Sequence, residues 1–245
     1  MHRNTLAYVI VALVAGFIGG FWLANSINRS AATSGPVGNT MIQSTDPAAP
    51  STATGNDLSP QEIAAKVAEA DKNPDNFAFQ KSLGIGLYRY AAMSSDALLL
   101  AESARILERA IALNSRDFDV AVALGNAYFD IGYAKKDRSS FEKAREFYSR
   151  ALVIKPAEPD VRTDIGISYY VEEPANYAKA ASELEAVGQA NPKHDRSMQF
   201  LAQVYLKQNK VADARRVAAK IREINPANAA LAELEVQIAS AQGTK

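Results

Sequence analysis

The sequence predicts an all-α fold: a solenoid of about four helical hairpins with flanking helices, behind an N-terminal transmembrane helix and a disordered linker. Two observations lead to this prediction. Residues 110–129, AIALNSRDFDVAVALGNAYF, return 41 residues further on as ALVIKPAEPDVRTDIGISYY, and a period of this length is typical of stacked supersecondary units. Residues 6–24 form a stretch of nineteen positions without a charged side chain. The predicted parts are therefore an anchor at 1–25, a linker at 26–58 and a repeat domain at 59–245.

The apolar segment Leu6–Ala24, LAYVIVALVAGFIGGFWLA, has the length of a membrane-spanning helix. A helix of this length extends about 28 Å, close to the ~30 Å of a bilayer's hydrocarbon core. Tyr8 and Trp22 lie near its two ends, where aromatic rings favour the membrane interface. A cleaved signal peptide is the alternative interpretation, but its apolar region is usually only about 7–15 residues long.

The flanking charges predict the orientation of this anchor. Arg3 and the α-amino group precede it, whereas only Arg29 follows it closely. Because positive charge stays on the cytoplasmic side, we expect a single-pass protein of the bacterial inner membrane, with a cytoplasmic N-terminus and a periplasmic repeat domain. Gly16 and Gly20 form a GxxxG pair, which permits close packing of two transmembrane helices. Glycine is also common in such helices without dimerisation.

Residues 26–58 are rich in Ser, Thr, Ala, Pro and Gly and contain few large apolar side chains. Such a segment buries too little surface to offset the entropy lost on ordering, so we expect a disordered linker. A flexible chain of about 30 residues has a typical reach of roughly 30 Å. The linker is therefore predicted to hold the repeat domain near the membrane.

The repeat domain begins at Ser59, where Ser59, Pro60 and Glu62 form a capping-box pattern. The units then end at one recurring position, at intervals of 41, 41, 36 and 34 residues: Pro74, Ser115, Pro156, Pro192 and Pro226. In the first half of each unit a large residue precedes a small one: Leu83-Gly84, Leu124-Gly125, Ile165-Gly166 and Leu201-Ala202. A small residue recurs in the second half: Ser103, Ala144, Ala180 and Ala214.

Two antiparallel helices per unit account for this pattern. The small residues allow the two helices to cross closely, and each unit buries its apolar side against the next, so the fold propagates as a solenoid. Proline after the second helix prevents its continuation. Leu231, Leu234 and Ile238 share one face of a predicted C-terminal helix that closes the stack.

The pattern resembles the tetratricopeptide repeat over about residues 74–228, as in single-pass, membrane-anchored proteins of the bacterial envelope. The second unit matches the signature of the family best, at Leu124, Gly125, Tyr128, Gly132, Ala144, Tyr148, Ala151 and Pro156. Ser115 replaces a proline, and the tryptophan usual in the family is absent from the repeats. The first two units also carry seven extra residues between their helices, which predicts either longer helices or a longer turn.

The resemblance implies a concave groove, lined by the first helix of each unit, that holds a peptide or helix of another protein. Carried over position by position, the groove residues are Lys81, Ile85, Tyr88, Arg89, Val122, Asn126, Phe129, Asp130, Thr163, Ile167, Tyr170, Val171, Gln199, Gln203, Leu206 and Lys207. The rings of Tyr88, Phe129 and Tyr170 recur at 41-residue intervals. They are interpreted either as a ladder of partner contacts or as packing beneath the seven-residue extensions.

The family's Lys/Asn clamp for a C-terminal carboxylate is incomplete here. Lys81 is followed one helical turn later by Ile85, and Asn126 is preceded by Val122. Binding of a chaperone tail through that clamp is therefore not expected.

The sequence contains no catalytic constellation. His194 is predicted to be a solvated turn residue, and the pair Glu172-Glu173 to belong to a solvated face. The absence of cysteine excludes disulfides, thiolate metal sites and cysteine nucleophiles. Lys+Arg and Asp+Glu are balanced at 27 each, so nothing indicates a nucleic-acid partner. We expect no enzyme activity, no cofactor and no metal.

The predicted function is that of a membrane-tethered protein–protein interaction scaffold or assembly factor. Two alternatives follow from the same architecture. One is a self-associating structural component that organises a membrane complex as a homo-oligomer. The other is a tetratricopeptide module of c-type cytochrome biogenesis.

Overall fold

The structure, a computed structural model, describes residues 59–242, and within this range the chain forms ten helices and no strand. The helices are α1 (Pro60–Lys72), α2 (Phe77–Ser94), α3 (Ala97–Leu113), α4 (Phe118–Lys135), α5 (Arg138–Ile154), α6 (Pro159–Val171), α7 (Tyr177–Ala190), α8 (Asp195–Lys207), α9 (Val211–Ile224) and α10 (Leu231–Gln242). The predicted anchor, the linker and the Gly16/Gly20 pair lie outside the described residues.

Helices α2 to α9 form four antiparallel hairpins, each with a first and a second helix: α2/α3, α4/α5, α6/α7 and α8/α9. Aspartates begin several of these helices, because a carboxylate at the N-cap accepts hydrogen bonds from the first free backbone N–H groups. Asp96, Asp117 and Asp137 act in this way on α3, α4 and α5. The predicted capping box at Ser59 and Glu62 is confirmed, with both reciprocal hydrogen bonds present.

The glycines of the large–small pairs bring the two helices of a hairpin into close contact. A Cβ atom placed on Gly125 would lie only 2.4 Å from two ring carbons of Tyr148. Gly84 meets Leu107 and Gly166 meets Leu184 in the same manner. The small residues predicted on the second helices are all fully buried: Ser103, Ala144, Ala180 and Ala214. The predicted close crossing is confirmed.

The seven-residue extensions of the first two units are longer helices. The first helices α2 and α4 contain 18 residues each, whereas α6 and α8 contain 13. The second helices α3 and α5 contain 17 residues, whereas α7 and α9 contain 14. The extra residues adjoin the turn within each hairpin, so the tips of the first two hairpins project about 7 Å further than those of the last two.

The hairpins stack in chain order, and the first helices lie on the inner side of the stack. Each first helix packs against the next one (α2 on α4, α4 on α6, α6 on α8), and α10 packs on α8 as a further first helix. The second helices make no comparable contact with one another within residues 59–242. Because the inner elements of a curved stack approach most closely, the surface of the first helices is the concave one.

One large apolar core runs through the hairpins, and a smaller cluster beneath α1 covers its N-terminal end. Ile63 and Ala70 of α1 pack there against Leu87 and Ile106. Gln80 is fully buried beside them and donates its side-chain N–H to the carbonyl oxygens that end α1. No helix between residues 59 and 242 combines the length and the hydropathy needed to cross a bilayer.

The predicted solvated face at Glu172 and Glu173 is wrong for Glu172. The side chain of Glu172 is 1% exposed and lies 3.0 Å from Arg145 of α5. This cation neutralises the carboxylate in the interior, which is why a charge can be buried at this point. Glu173 stays exposed, as predicted.

Candidate protein-binding groove

The structure places the predicted groove residues on the four first helices, which lie side by side on the concave surface. Nine of the sixteen keep some exposure: Lys81, Ile85, Arg89, Val122, Tyr170, Val171, Gln203, Leu206 and Lys207. The other seven are buried: Tyr88, Asn126, Phe129, Asp130, Thr163, Ile167 and Gln199. The predicted set thus contains two groups. The nine partly exposed residues form the surface of the groove, and the seven buried residues form a groove layer directly beneath it.

The predicted ladder of aromatic rings is largely an internal structure. Phe129 is 1% exposed and meets Phe141 of α5 edge to face, with ring centroids 5.5 Å apart. Tyr170 lies between Tyr177 and Phe200, at centroid distances of 6.0 and 6.2 Å. Burial raises the pKa of Tyr170 to about 12. Phe141 lies in the lengthened part of the second hairpin, so Phe129 packs beneath the extension.

Hydrogen bonds from polar side chains connect adjacent helices in this layer. The hydroxyl of Tyr88 donates to Asp130 at 3.1 Å, which joins α2 to α4. The hydroxyl of Tyr148 donates to the amide oxygen of Asn126 at 2.8 Å, which joins the two helices of the second hairpin. Asn126 therefore has a structural role in its own unit.

Lys81 is engaged with two carboxylates at the start of the next unit. Its Nζ lies 2.9 Å from Asp117 and 2.8 Å from Asp119. Burial opposes the charged form of this lysine, but the hydrogen bonds with the two carboxylates outweigh burial and raise its pKa. The residue expected to begin a carboxylate clamp therefore has intramolecular partners, which agrees with the incomplete clamp in the sequence.

In the fourth unit, one buried hydrogen-bond acceptor beneath the groove surface receives no hydrogen bond from any described residue. Gln199 is 8% exposed, and its amide oxygen has no hydrogen-bond partner in the described part of the chain. Gln203, one turn further along α8, is half-buried. Amide side chains of this kind can accept and donate hydrogen bonds to the backbone of a bound peptide.

The sequence reasoning missed a repeated contact between units. The hydroxyl of Tyr205 donates to Glu185 at 2.8 Å, and the hydroxyl of Tyr128 donates to Glu108. Each pair joins a first helix to the second helix of the preceding unit across an interval of 20 residues. At the corresponding place between the second and third units, the guanidinium of Arg145 lies 4.2 Å from the ring centroid of Tyr169. The Glu–Tyr spacing is visible in the sequence and could have revealed the first two contacts.

His194 lies in the turn before α8, as predicted, but its side chain is only 17% exposed because it acts as a helix cap. Its Nδ1 accepts a hydrogen bond from the backbone N–H of Ser197 at 3.2 Å, so it caps α8. Its Nε2 lies 3.2 Å from Asp160. The hydrogen bond with His194 is the main cause that lowers the pKa of Asp160.

Among residues 59–242, no three or more His, Asp or Glu side chains cluster in a way that could hold a metal ion. Charged groups are paired across helices at two places near the groove, at Lys81 and at Asp164. Asp164, for example, accepts a hydrogen bond from Arg196 of the next unit. The partly exposed residues of the groove can offer hydrogen bonds and apolar contact to another molecule.

Comparisons with known proteins agree with this architecture. A family model described as tetratricopeptide repeat matches residues 174–238. The crystal structure of MamA protein is 18% identical, with a TM-score of 0.53, over 67% of this chain and 81% of that one. The crystal structure of TTC0263, a thermophilic tetratricopeptide repeat protein of Thermus thermophilus, is 19% identical, with a TM-score of 0.51, over 74% of this chain and 89% of that one. No curated protein matches the chain.

These matches support an assignment to the tetratricopeptide repeat family. Because the sequence identities to the solved structures are below 20%, those structures show only a shared fold. The described domain is an all-helical, tetratricopeptide-like solenoid of the kind that forms protein–protein interaction scaffolds. The membrane-anchored envelope type remains a prediction.

Proposed function

We propose that the protein is a non-enzymatic, membrane-tethered scaffold or assembly factor that holds a peptide or helix of a partner protein in its concave groove. The observation that supports this most directly is the side-by-side packing of the four first helices, which creates one continuous inner surface. The proposed tethering rests on the apolar segment 6–24. The proposed location of the repeat domain, on the outer side of a bacterial inner membrane, rests on the same segment.

The partly exposed groove residues favour an amphipathic ligand. Ile85, Val122 and Tyr170 offer apolar contact, whereas Arg89 and Lys207 are exposed cations. Aromatic and aliphatic side chains supply most of the binding energy in such interfaces, and rim charges select the partner. A segment with apolar residues flanked by Asp or Glu fits this surface best.

Site-specific photo-crosslinking in native membranes tests the groove. A photoreactive residue in place of Gln203 on α8 probes the concave side, and one in place of the exposed Gln189 on α7 probes a second helix. We expect a discrete partner to crosslink from position 203 and not from position 189. The same products from both positions, or none from position 203, would overturn the groove assignment.

Matched charge changes test the same site by affinity. The double variant Arg89→Glu/Gln203→Glu alters the first helices, and Arg215→Glu/Gln189→Glu makes the same charge change on the second helices. We expect only the first variant to lose co-purification of the partner, with helical content retained in both.

The two alternatives predict other outcomes of these experiments. A self-associating component should sediment as a dimer or larger species and crosslink to its own chain. A module of cytochrome biogenesis should crosslink from position 203 to an apocytochrome segment.

A further inference from the structure

The tips of the first two hairpins carry a combination of exposed side chains that the groove does not use. At the first tip, Met93 is 71% exposed and Leu98 is 83% exposed. At the second tip, Lys135, Lys136 and Arg138 are exposed around the turn between α4 and α5. Large apolar residues with this exposure are uncommon enough to indicate a contact surface when they lie together.

The two tips are neighbours and project from one edge of the domain. Tyr88 and Asp130, near the ends of α2 and α4, are hydrogen-bonded at 3.1 Å, so the two tips lie side by side. The lengthened helices raise both tips about 7 Å above those of the last two hairpins. The apolar pair and the three cations therefore form one projecting surface.

Two of the three cations have carboxylate partners, and both pairs are exposed to solvent. Lys136 lies 3.7 Å from Glu173 of the third unit, and Arg138 lies 3.2 Å from Glu142, one turn further along α5. All four side chains are at least 55% exposed, and such exposed pairs leave the cations able to face other anions. Asp96 and Asp137, in the two turns, each accept backbone N–H groups as a helix cap.

The chain leaves the domain at this same edge. α1 joins α2 through the four residues 73–76 and packs against it, so the two helices are antiparallel. Ser59, at the start of α1, therefore lies on the same side of the domain as the tips, about 7 Å below them, since α1 has 13 residues and α2 has 18. The predicted linker to the apolar segment 6–24 begins there.

We propose that the projecting tips of the first two hairpins dock on an anionic membrane surface, with Met93 and Leu98 at the interface and Lys135, Lys136 and Arg138 facing the lipid headgroups. The proposal rests on the membrane tethering proposed above, which keeps the tips within reach of lipid. Apolar side chains at an interface and nearby cations act together on anionic bilayers. Docking at this edge orients the hairpin helices roughly perpendicular to the membrane plane, so the groove faces sideways and not towards the bilayer.

A fluorescence experiment on the full chain tests this docking. Because the sequence has no cysteine, Leu98→Cys accepts a single environment-sensitive dye at the tip. Val153→Cys is the matched control, since Val153 is 81% exposed near the opposite end of α5. Each protein is mixed with vesicles of phosphatidylcholine, with and without phosphatidylglycerol.

We expect a blue shift of the dye at position 98 with the anionic vesicles, and none at position 153. The triple variant Lys135→Glu/Lys136→Glu/Arg138→Glu should weaken docking of the tips on those vesicles by roughly 100-fold at low salt and so remove the shift at position 98, since each cation near an anionic surface contributes about fivefold. Equal signals at positions 98 and 153, or equal signals with both kinds of vesicle, would overturn the proposal.

Vesicle flotation, read separately, tests the tethering by the N-terminal segment. A chain that floats but gives no tip-specific shift keeps the anchor and loses the docking. A chain that fails to float with vesicles of phosphatidylcholine alone but still gives the shift on anionic vesicles keeps the docking and loses the anchor.

Discussion

The guanidinium of Arg145 lies 3.0 Å from the carboxylate of Glu172, and the two side chains are only 10% and 1% exposed. Arg145 also approaches the hydroxyl of Ser168 at 3.2 Å and covers the ring of Tyr169. One buried cation thus joins the second hairpin to the third by charge, hydrogen bond and ring contact.

Replacement of Glu172 by Gln should lower the free energy of unfolding by roughly 3–5 kcal/mol, because it leaves the buried charge of Arg145 without its counter-ion. Urea unfolding followed by circular dichroism measures the change. The adjacent Glu173→Gln is the matched control and should cost less than about 1 kcal/mol, since Glu173 forms only an exposed pair with Lys136. Equal losses in the two variants would contradict the buried-pair interpretation.

Two glycines should respond in opposite directions to replacement by alanine. Gly125→Ala places a Cβ atom 2.4 Å from the ring of Tyr148, which is fully buried and hydrogen-bonded to Asn126. We expect a loss of about 1–3 kcal/mol. Gly86→Ala meets nothing within 4 Å on the exposed side of α2 and should stabilise the domain by about 0.5–1 kcal/mol. Thermal unfolding of both variants checks the pair, and a stabilising Gly125→Ala would refute the close crossing.

Phe129→Ala should destabilise the domain by about 3–5 kcal/mol, because the ring is buried against Phe141. The control Val153→Ala, at an 81% exposed position, should change stability by no more than about 0.5 kcal/mol. Chemical denaturation of the two variants makes the comparison. A mild effect of Phe129→Ala would instead favour a role of this ring in partner contact.

The buried tyrosines should make the domain sensitive to alkali. Burial raises the pKa of Tyr170 to about 12, and burial together with the hydrogen bond to Glu185 raises the pKa of Tyr205 to about 12. The unfolded chain loses these protons first, near pH ~10. Their contribution to stability is therefore complete below about pH 10 and is lost as the pH rises towards about 12.

Tyrosinate absorbance and unfolding, measured across this range, test the effect. The pKa values of Tyr128 and Tyr133 are also raised by burial. Tyr205→Phe removes one of these late-titrating groups and should leave a smaller loss of stability between about pH 10 and 12. Titration of all tyrosines near pH ~10 in the folded protein would contradict the prediction.

The hairpins and their order could be predicted from the sequence because the signals are local. Prolines mark the ends of units, and pairs such as Leu124-Gly125 mark helix crossings between helices that follow each other directly in the chain. Contacts between units depend on how each hairpin is rotated against the next, which the helix signals within a unit do not encode, and only the repeated Glu–Tyr spacing points to two of them. The ion pair of Arg145 and Glu172 spans 27 residues and two units, so local patterns alone assign Glu172 to a solvated face.

The groove could be predicted at the level of helices and only partly at the level of side chains. The position of Phe129 matches a family pattern, yet the longer helices of its own unit bring Phe141 over its ring. The seven extra residues in each of the first two units are compatible with either a longer turn or longer helices, so the sequence leaves both open. The structure resolves this, because only two residues separate the helices of each long hairpin.

The first helices contain 18 residues in the leading two hairpins and 13 in the trailing two. A ligand that runs the length of the concave side therefore meets a taller wall at one end than at the other. If its chain direction is reversed, a different end faces the tall wall, and the fit is lost. The unequal helix lengths therefore give the groove a polarity, and an extended ligand should bind in one chain direction only.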